Sequence, residues 1–281
     1  MNTLYLKVAG VTVRVDSEVD FRDFNDFGFY RDFIVPGGEA RCRLRHLIAG
    51  PPDTAAGDSF ATQNWEITSS DGKQVLRVGP ASGQGKADNV VVFDRDYSSG
   101  TMYQDSVFEL FRRFIDQFLI INLLAADGGF LLHASGVVWE GKGICFAGRS
   151  GTGKSTLLNL FKDELPREAL LNDDRLAVRK CGGEWRVFGT PWYGESRVSS
   201  SGSAPLSSLF FIRHAEKDTA RALPASEVCP HLMVLGLLPL WDREATSRVI
   251  STFEDLIRCV PAFDLGFVPG KGAVDLIKKT I

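Results

Sequence analysis

The chain has 281 residues, 44% apolar and 24% charged, a composition of soluble globular proteins with room for one large domain or two modest ones. Its net charge of −3 gives no global attraction to nucleic acid or to an anionic membrane. Five scattered cysteines without a C-x-x-C pair argue against zinc and against a disulfide framework, and no signal-peptide pattern or long apolar span is present, so a cytoplasmic protein is expected.

Residues 4–8 and 11–15, on either side of Ala9-Gly10, predict a β-hairpin. Phe21, Phe24, Phe27, Phe29, Tyr30 and Phe33 follow among aspartates and read either as aromatic packing or as a surface for an extended peptide. Arg41, Arg43 and Arg45 alternate with Cys42, Leu44 and His46, a strand pattern with one basic, solvated face. Residues 51–58 read as a loop. Strands are expected at 64–68, 74–78 and 90–93, with a turn at 82–85. The region 1–104 is thus β-rich and carries no catalytic constellation; acceptor recognition or packing is its expected role.

Residues 106–126 carry an apolar stripe of Val107, Leu110, Phe111, Phe114, Ile115, Phe118 and Leu119 that predicts one long helix, opening a second region, 105–281. Its charges Glu109, Arg112, Arg113 and Asp116 argue against a membrane span. Strands are expected at 130–139 and 144–147, joined by a tight turn.

Residues 148–155, GRSGTGKS, fit G-x-x-x-x-G-K-[ST] at every fixed position and lie between a short apolar strand and a helical run, as a phosphate-binding loop requires. The glycines let backbone N–H groups turn inward around a polyphosphate, the lysine reaches its outer phosphates and the serine hydroxyl can ligate Mg²⁺. Gly148, Arg149, Ser150, Gly151, Thr152, Gly153, Lys154, Ser155 and Thr156 are therefore the expected ATP contacts. The run 169–174 ends in Asp173 and Asp174, as a Walker-B strand presents carboxylates to Mg²⁺, and is expected on the strand neighbouring the loop. A hairpin about 181–183 follows. Residues 189–195 are irregular and 199–205 are rich in serine and glycine, so mobile, lid-like loops are expected there. A strand at 209–212, helices from 226 and over 242–260, a strand at 262–268 and a helix at 273–281 complete the α/β pattern.

His133 stands 21 residues before Lys154, a turn-linked strand pair leads into GRSGTGKS, and an Asn-Asp-Asp-Arg run follows. Together these resemble the catalytic domain of HPr kinase/phosphorylase, and more closely the HPr-kinase-like proteins of peptide-modification gene clusters, through LLHASGV, SGTGKST and GTPW. The resemblance covers roughly residues 105–281. It implies a P-loop kinase fold using ATP and Mg²⁺, with Lys154 on phosphate, Ser155 on Mg²⁺, Asp174 deprotonating an acceptor serine and His133 as an active-site histidine. Asp173 would then either bind the metal or support its ligands, and Glu195 would be the second metal ligand. The first hundred residues do not resemble the receiver domain of true HPr kinases, so HPr is not carried over as acceptor. The expected partner is a protein or peptide with a hydroxyl to phosphorylate, and a homo-oligomer is compatible with the pattern. A scaffold that binds nucleotide without catalysis and presents a peptide-binding N-terminal region is the rival reading.

Overall fold

Alternating apolar residues at the start of the chain build the expected hairpin, β1 (Asn2–Val8) with β2 (Val11–Ser17), whose inward side chains Leu4, Leu6, Val13 and Val15 are buried. The computed structural model describes residues 1–53, 57–79, 89–111 and 114–281, so the turn expected at 82–85, part of the loop at 51–58, and Arg112 and Arg113 lie outside the described residues. The chain is mixed α/β with two sheets, each in its own unit, Met1–Leu123 and Leu124–Ile281.

Among the described residues, the first unit holds a nine-stranded sheet. After the hairpin come β3 (Ile34–Val35), β4 (Cys42–Ile48), β5 (Asp58–Ala61), β6 (Trp65–Ser70), β7 (Lys73–Val78), β8 (Asn89–Asp94) and β9 (Ser99–Gln104), in the order β3-β1-β2-β4-β9-β8-β7-β6-β5. The β4 alternation is observed: Cys42, Leu44 and His46 are buried and Arg43 and Arg45 exposed. The aromatic segment forms two short 3-10 helices, Phe21–Asp23 and Phe27–Phe33, and buries Phe21, Phe24 between them, Tyr30 and Phe33, so packing accounts for much of it.

The long helix expected from residue 106 is shorter. Helix α1 spans Ile115–Ala126. Residues 106–111 are non-helical because their backbone is claimed from elsewhere: the Asp26 carboxylate accepts from Leu110 N (2.8 Å) and Phe111 N (3.3 Å), and the Gln104 amide donates to the carbonyls of Glu109 and Leu110. The unit boundary falls within α1, beyond the 104/105 division read from the sequence, because Phe118 is buried against Trp65, Phe93 and Tyr97 of the first unit.

The second unit opens with β10 (Gly129–Trp139), which turns through Glu140 and Gly141, both at positive φ, into β11 (Lys142–Ala147). Helix α2 (Lys154–Lys162) follows the glycine-rich loop, residues 148–153. Then come β12 (Leu170–Asn172), the hairpin β13 (Arg175–Cys181) and β14 (Glu184–Phe188), and β15 (Ser203–His214). The chain ends with β16 (Thr219–Ala222), α3 (Ala225–Leu235), β17 (Gly236–Leu237), α4 (Arg243–Cys259), β18 (Ala262–Phe267) and α5 (Lys271–Thr280).

Strand β15 begins at Ser203, inside the segment expected to be mobile, because Ser203, Ala204 and Pro205 pair with β14. The pairings β10–β13–β14–β15–β11–β10 close a circuit of five strands, with β11, β15 and β18 running parallel. Side chains alternate across β11. Ile144 and Phe146 face the cluster containing Leu157, Phe161, Val274 and Ile277 of α2 and α5, while Cys145 and Ala147 face the one containing Leu232 and Phe253 of α3 and α4. One departure from expectation matters for the site: β12 pairs antiparallel with β10 (Gly136 opposite Asn172), so the two aspartates do not end a strand beside the loop strand β11.

Candidate active site

The site forms where β10 changes partners. His133 lies opposite Arg175 of β13, whereas Ala134 lies opposite Ala147, the last residue of β11 before the loop. One histidine is thereby set beside both the glycine-rich loop 148–153 and the Asp-Asp turn that precedes β13. Ala134 N donates to the carbonyl of Asp174 at 3.0 Å, which fixes the two chains against each other.

The loop has the local geometry its glycines imply. Gly153, at φ 97°, caps α2 without a side-chain acceptor, so the N–H groups of the first turn are left for an anion. A Cβ at Gly153 would stand 2.7 Å from Phe267, and one at Gly148 would stand 2.4 Å from the Thr152 hydroxyl, which donates to Arg149 O. Arg149, Ser150, Gly151 and Thr156 are exposed; Thr152, Gly153 and Ser155 are partly so. This uncapped helix start and glycine-lined concavity fit a polyphosphate, and the Ser155 hydroxyl in the first helical turn fits one Mg²⁺ ligand.

Lys154 is 7% exposed, and its ammonium donates to Gly148 O (2.9 Å), Arg149 O (3.1 Å) and His133 Nε2 (2.9 Å). Three N–H groups meet three acceptors. Because Nε2 accepts, the His133 proton belongs on Nδ1, which lies 3.0 Å from Asp174 Oδ1 and 3.1 Å from Asp174 O. His133 thus bridges Lys154 and Asp174. Burial lowers the Lys154 ammonium from its ordinary value, with the Asp174 charge opposing. Burial raises the Asp174 carboxyl, but the hydrogen bond from His133 and the charges of Arg175, His133 and Lys154 outweigh it and hold the carboxyl below its ordinary value. Arg175 is 3.3 Å from the other carboxylate oxygen.

Asp173, expected to bind a metal or to support its ligands, pins a loop. It is buried, and its carboxylate accepts from Gly194 N (2.8 Å), Ser196 N (2.6 Å) and Val198 N (3.3 Å), pinning the 194–198 loop. Both its oxygens are engaged by backbone donors of its own chain. Glu195 sits in that pinned loop with its side chain exposed. Among the described residues no group of three or more His, Cys, Asp or Glu is placed to hold a metal, so Asp173, Asp174 and Glu195 do not converge as a metal cage. Mg²⁺ carried by substrate phosphates needs no such cage and commonly takes one or two protein ligands.

Several supporting residues carried no sequence signal. Asn172 is fully buried; its carbonyl oxygen accepts from Asp174 N (2.7 Å) and Arg175 N (2.8 Å), and its amide donates to Thr190 O (2.8 Å). It turns the chain after β12 so that the Asp173 and Asp174 side chains diverge. Thr190, also buried, closes the network by donating to Arg175 O at 2.7 Å. At Gly151 of the glycine-rich loop, the His214 ring is 2.9 Å from the carbonyl oxygen and stacks on Phe267. The Asn-Asp-Asp order was visible in the chain, but the partners in loop 190–199 were not.

Residues 109–233 match the model of a family described as SynChlorMet cassette protein ScmC. The matched stretch contains His133, the glycine-rich loop 148–153, Asn172, Asp173, Asp174 and the 194–198 loop. No curated protein matches the chain. Among the described residues no helix is long and apolar enough to cross a membrane.

Proposed function

We propose that the protein is an ATP-dependent kinase, similar to HPr kinase in its catalytic domain, that transfers a phosphoryl group to a serine hydroxyl of a protein or peptide. The observation that carries this reading is the continuous contact Lys154–His133–Asp174, which joins a loop suited to polyphosphate with a carboxylate kept ionised beside it. Bound ATP with Mg²⁺ would supply the phosphoryl group and much of the charge neutralisation. The chain itself supplies position and proton handling.

Lys154 is the mobile cation: leaving Gly148 O and Arg149 O frees its ammonium for phosphate. Asp174 Oδ1 takes the acceptor hydroxyl proton, and the Nδ1–H of His133 orients that carboxylate. Arg175 holds the other oxygen and opposes protonation of the pair. Asn172 and Thr190 fix the turn on which Asp174 sits. Phosphoryl transfer asks little more of a protein than such positioning and electrostatic stabilisation.

The direct test is incubation with γ-labelled ATP, Mg²⁺ and serine-containing peptides encoded near the gene, followed by phosphoamino-acid analysis. Acid-stable phosphoserine is expected. Nucleotide binding with no label on any hydroxyl acceptor would favour the non-catalytic scaffold instead.

A further inference from the structure

A pocket of about 350 Å³ opens between the last turn of α2 and the 194–198 loop. Three cations from separate elements line it: Lys162 ends α2, Arg167 comes from the 3-10 turn before β12, and Arg197 from the loop. Ser196 also lines it, and Leu170 and Val198 contribute apolar surface. Among the described residues no carboxylate lines it, and Glu164, close in sequence, is paired with Lys278. Arg197 is held at φ 52°, an unusual conformation for a non-glycine residue, in a turn closed by its N–H to Gly194 O (3.2 Å). Its position is therefore imposed by the loop that Asp173 pins.

The same loop reaches the candidate active site. A methyl group at Gly194 would stand 3.2 Å from Cβ of Asp174, whereas Ser196 and Arg197, two and three residues on, line the pocket. The turn from Gly194 to Arg197 brings its ends within about 7 Å of each other, the span of roughly two residues of an extended peptide. A peptide lying along the loop with a hydroxyl at Asp174 would bring a side chain two to four residues away over the three cations. A carboxylate on a short methylene stem matches both the charge and the apolar surface.

We propose that this pocket is a subsite for the acceptor peptide and takes an aspartate or glutamate two to four residues from the phosphorylated serine. This rests on the kinase reading for its register. A free small anion would need no relation to Asp174, and the run of the loop from that residue into the pocket is what favours an extended acidic peptide.

The test uses short peptides with one central serine on an alanine-glycine background, with glutamate or lysine at successive positions to either side. Label transfer from γ-labelled ATP and binding by fluorescence anisotropy are both measured, for the full-length wild type and an Arg167→Glu/Arg197→Glu variant. Glutamate two to four residues from the serine is expected to improve kcat/KM and binding by about tenfold or more over lysine, and the charge-reversed variant to prefer lysine. Arg197→Gln, the milder change, should weaken the acidic preference without reversing it, and thermal unfolding checks that each variant is folded. If no peptide is phosphorylated the kinase reading fails, but acid-selective binding lost on charge reversal would still uphold the pocket as an acidic-peptide site. Equal binding of glutamate and lysine peptides, an acidic preference untouched by the variants, or competition by inorganic phosphate with no peptide selectivity would overturn it.

Discussion

The ammonium of Lys154 and Nε2 of His133 are 2.9 Å apart, and the other ring nitrogen of that histidine contacts the Asp174 carboxylate. Among the interactions that lower the Asp174 carboxyl, the hydrogen bond from His133 is the largest, opposing burial. Its folded value is depressed, so the stability and activity tied to the ionised form are present above the ordinary carboxylate range and are lost as pH falls through the folded value. His133→Ala removes that support. The acid limb of kcat/KM should move to higher pH and kcat should fall by about 10²-fold. A pH–rate profile of both proteins checks this; an unmoved limb would show that Asp174 is not the titrating base.

Asp173→Asn separates loop pinning from metal ligation. The amide can accept through one oxygen only, leaving buried N–H groups of the 194–198 loop short of an acceptor at about 1–3 kcal/mol. Hydrogen exchange across 194–198 should accelerate, while the Mg²⁺ concentration for half-maximal activity stays unchanged. A raised Mg²⁺ requirement with the loop still protected would return Asp173 to the metal.

Asn172→Ala leaves the N–H groups of Asp174 and Arg175 and the Thr190 carbonyl without their buried partner. Denaturant unfolding should show a loss of about 3 kcal/mol. Activity should fall further than stability alone explains, because the turn carrying Asp174 is freed. Asn172→Asp, which keeps the acceptor but loses the donor to Thr190, should lie between wild type and alanine.

In the first unit, Phe118 is fully buried and stacks on Phe93 at 6.0 Å between centroids. Phe118→Ala should destabilise by about 3–5 kcal/mol through lost transfer energy and the cavity left behind. Urea unfolding measures it, and a loss below about 1 kcal/mol would mean that the first turns of α1 are not part of that core.

Much of this architecture is legible in the chain because the signals are local. The β4 alternation, the hairpin at Ala9-Gly10 and the loop GRSGTGKS each carry their own geometry within a few residues. Where the structure departs from local expectation, distant partners decide. The apolar stripe of 106–126 is real, but Asp26, far earlier in sequence, takes the N–H groups of Leu110 and Phe111 and delays the helix to Ile115. Ser203 to Pro205 has a loop composition, yet pairing with Arg186 to Phe188 makes it strand. Asp173 and Asp174 look equivalent in sequence. Asn172 turns them apart, and the partners that assign one to the loop and the other to His133 come from residues 190–198 and from β10.

The measurement that bears most directly on the central claim is the rate of phosphoserine formation from ATP and a serine peptide by wild type, Lys154→Ala, Asp174→Asn and the double variant. If Lys154 and Asp174 serve one phosphoryl-transfer site, each single change should lower kcat by about 10²-fold or more. The double variant should lose far less than the product of the two, because groups acting as a unit are not additive. ATP affinity should fall with Lys154→Ala and stay near wild type with Asp174→Asn. A wild-type protein that binds ATP and forms no phosphoserine, or an Asp174→Asn variant that keeps the wild-type rate, would contradict the account.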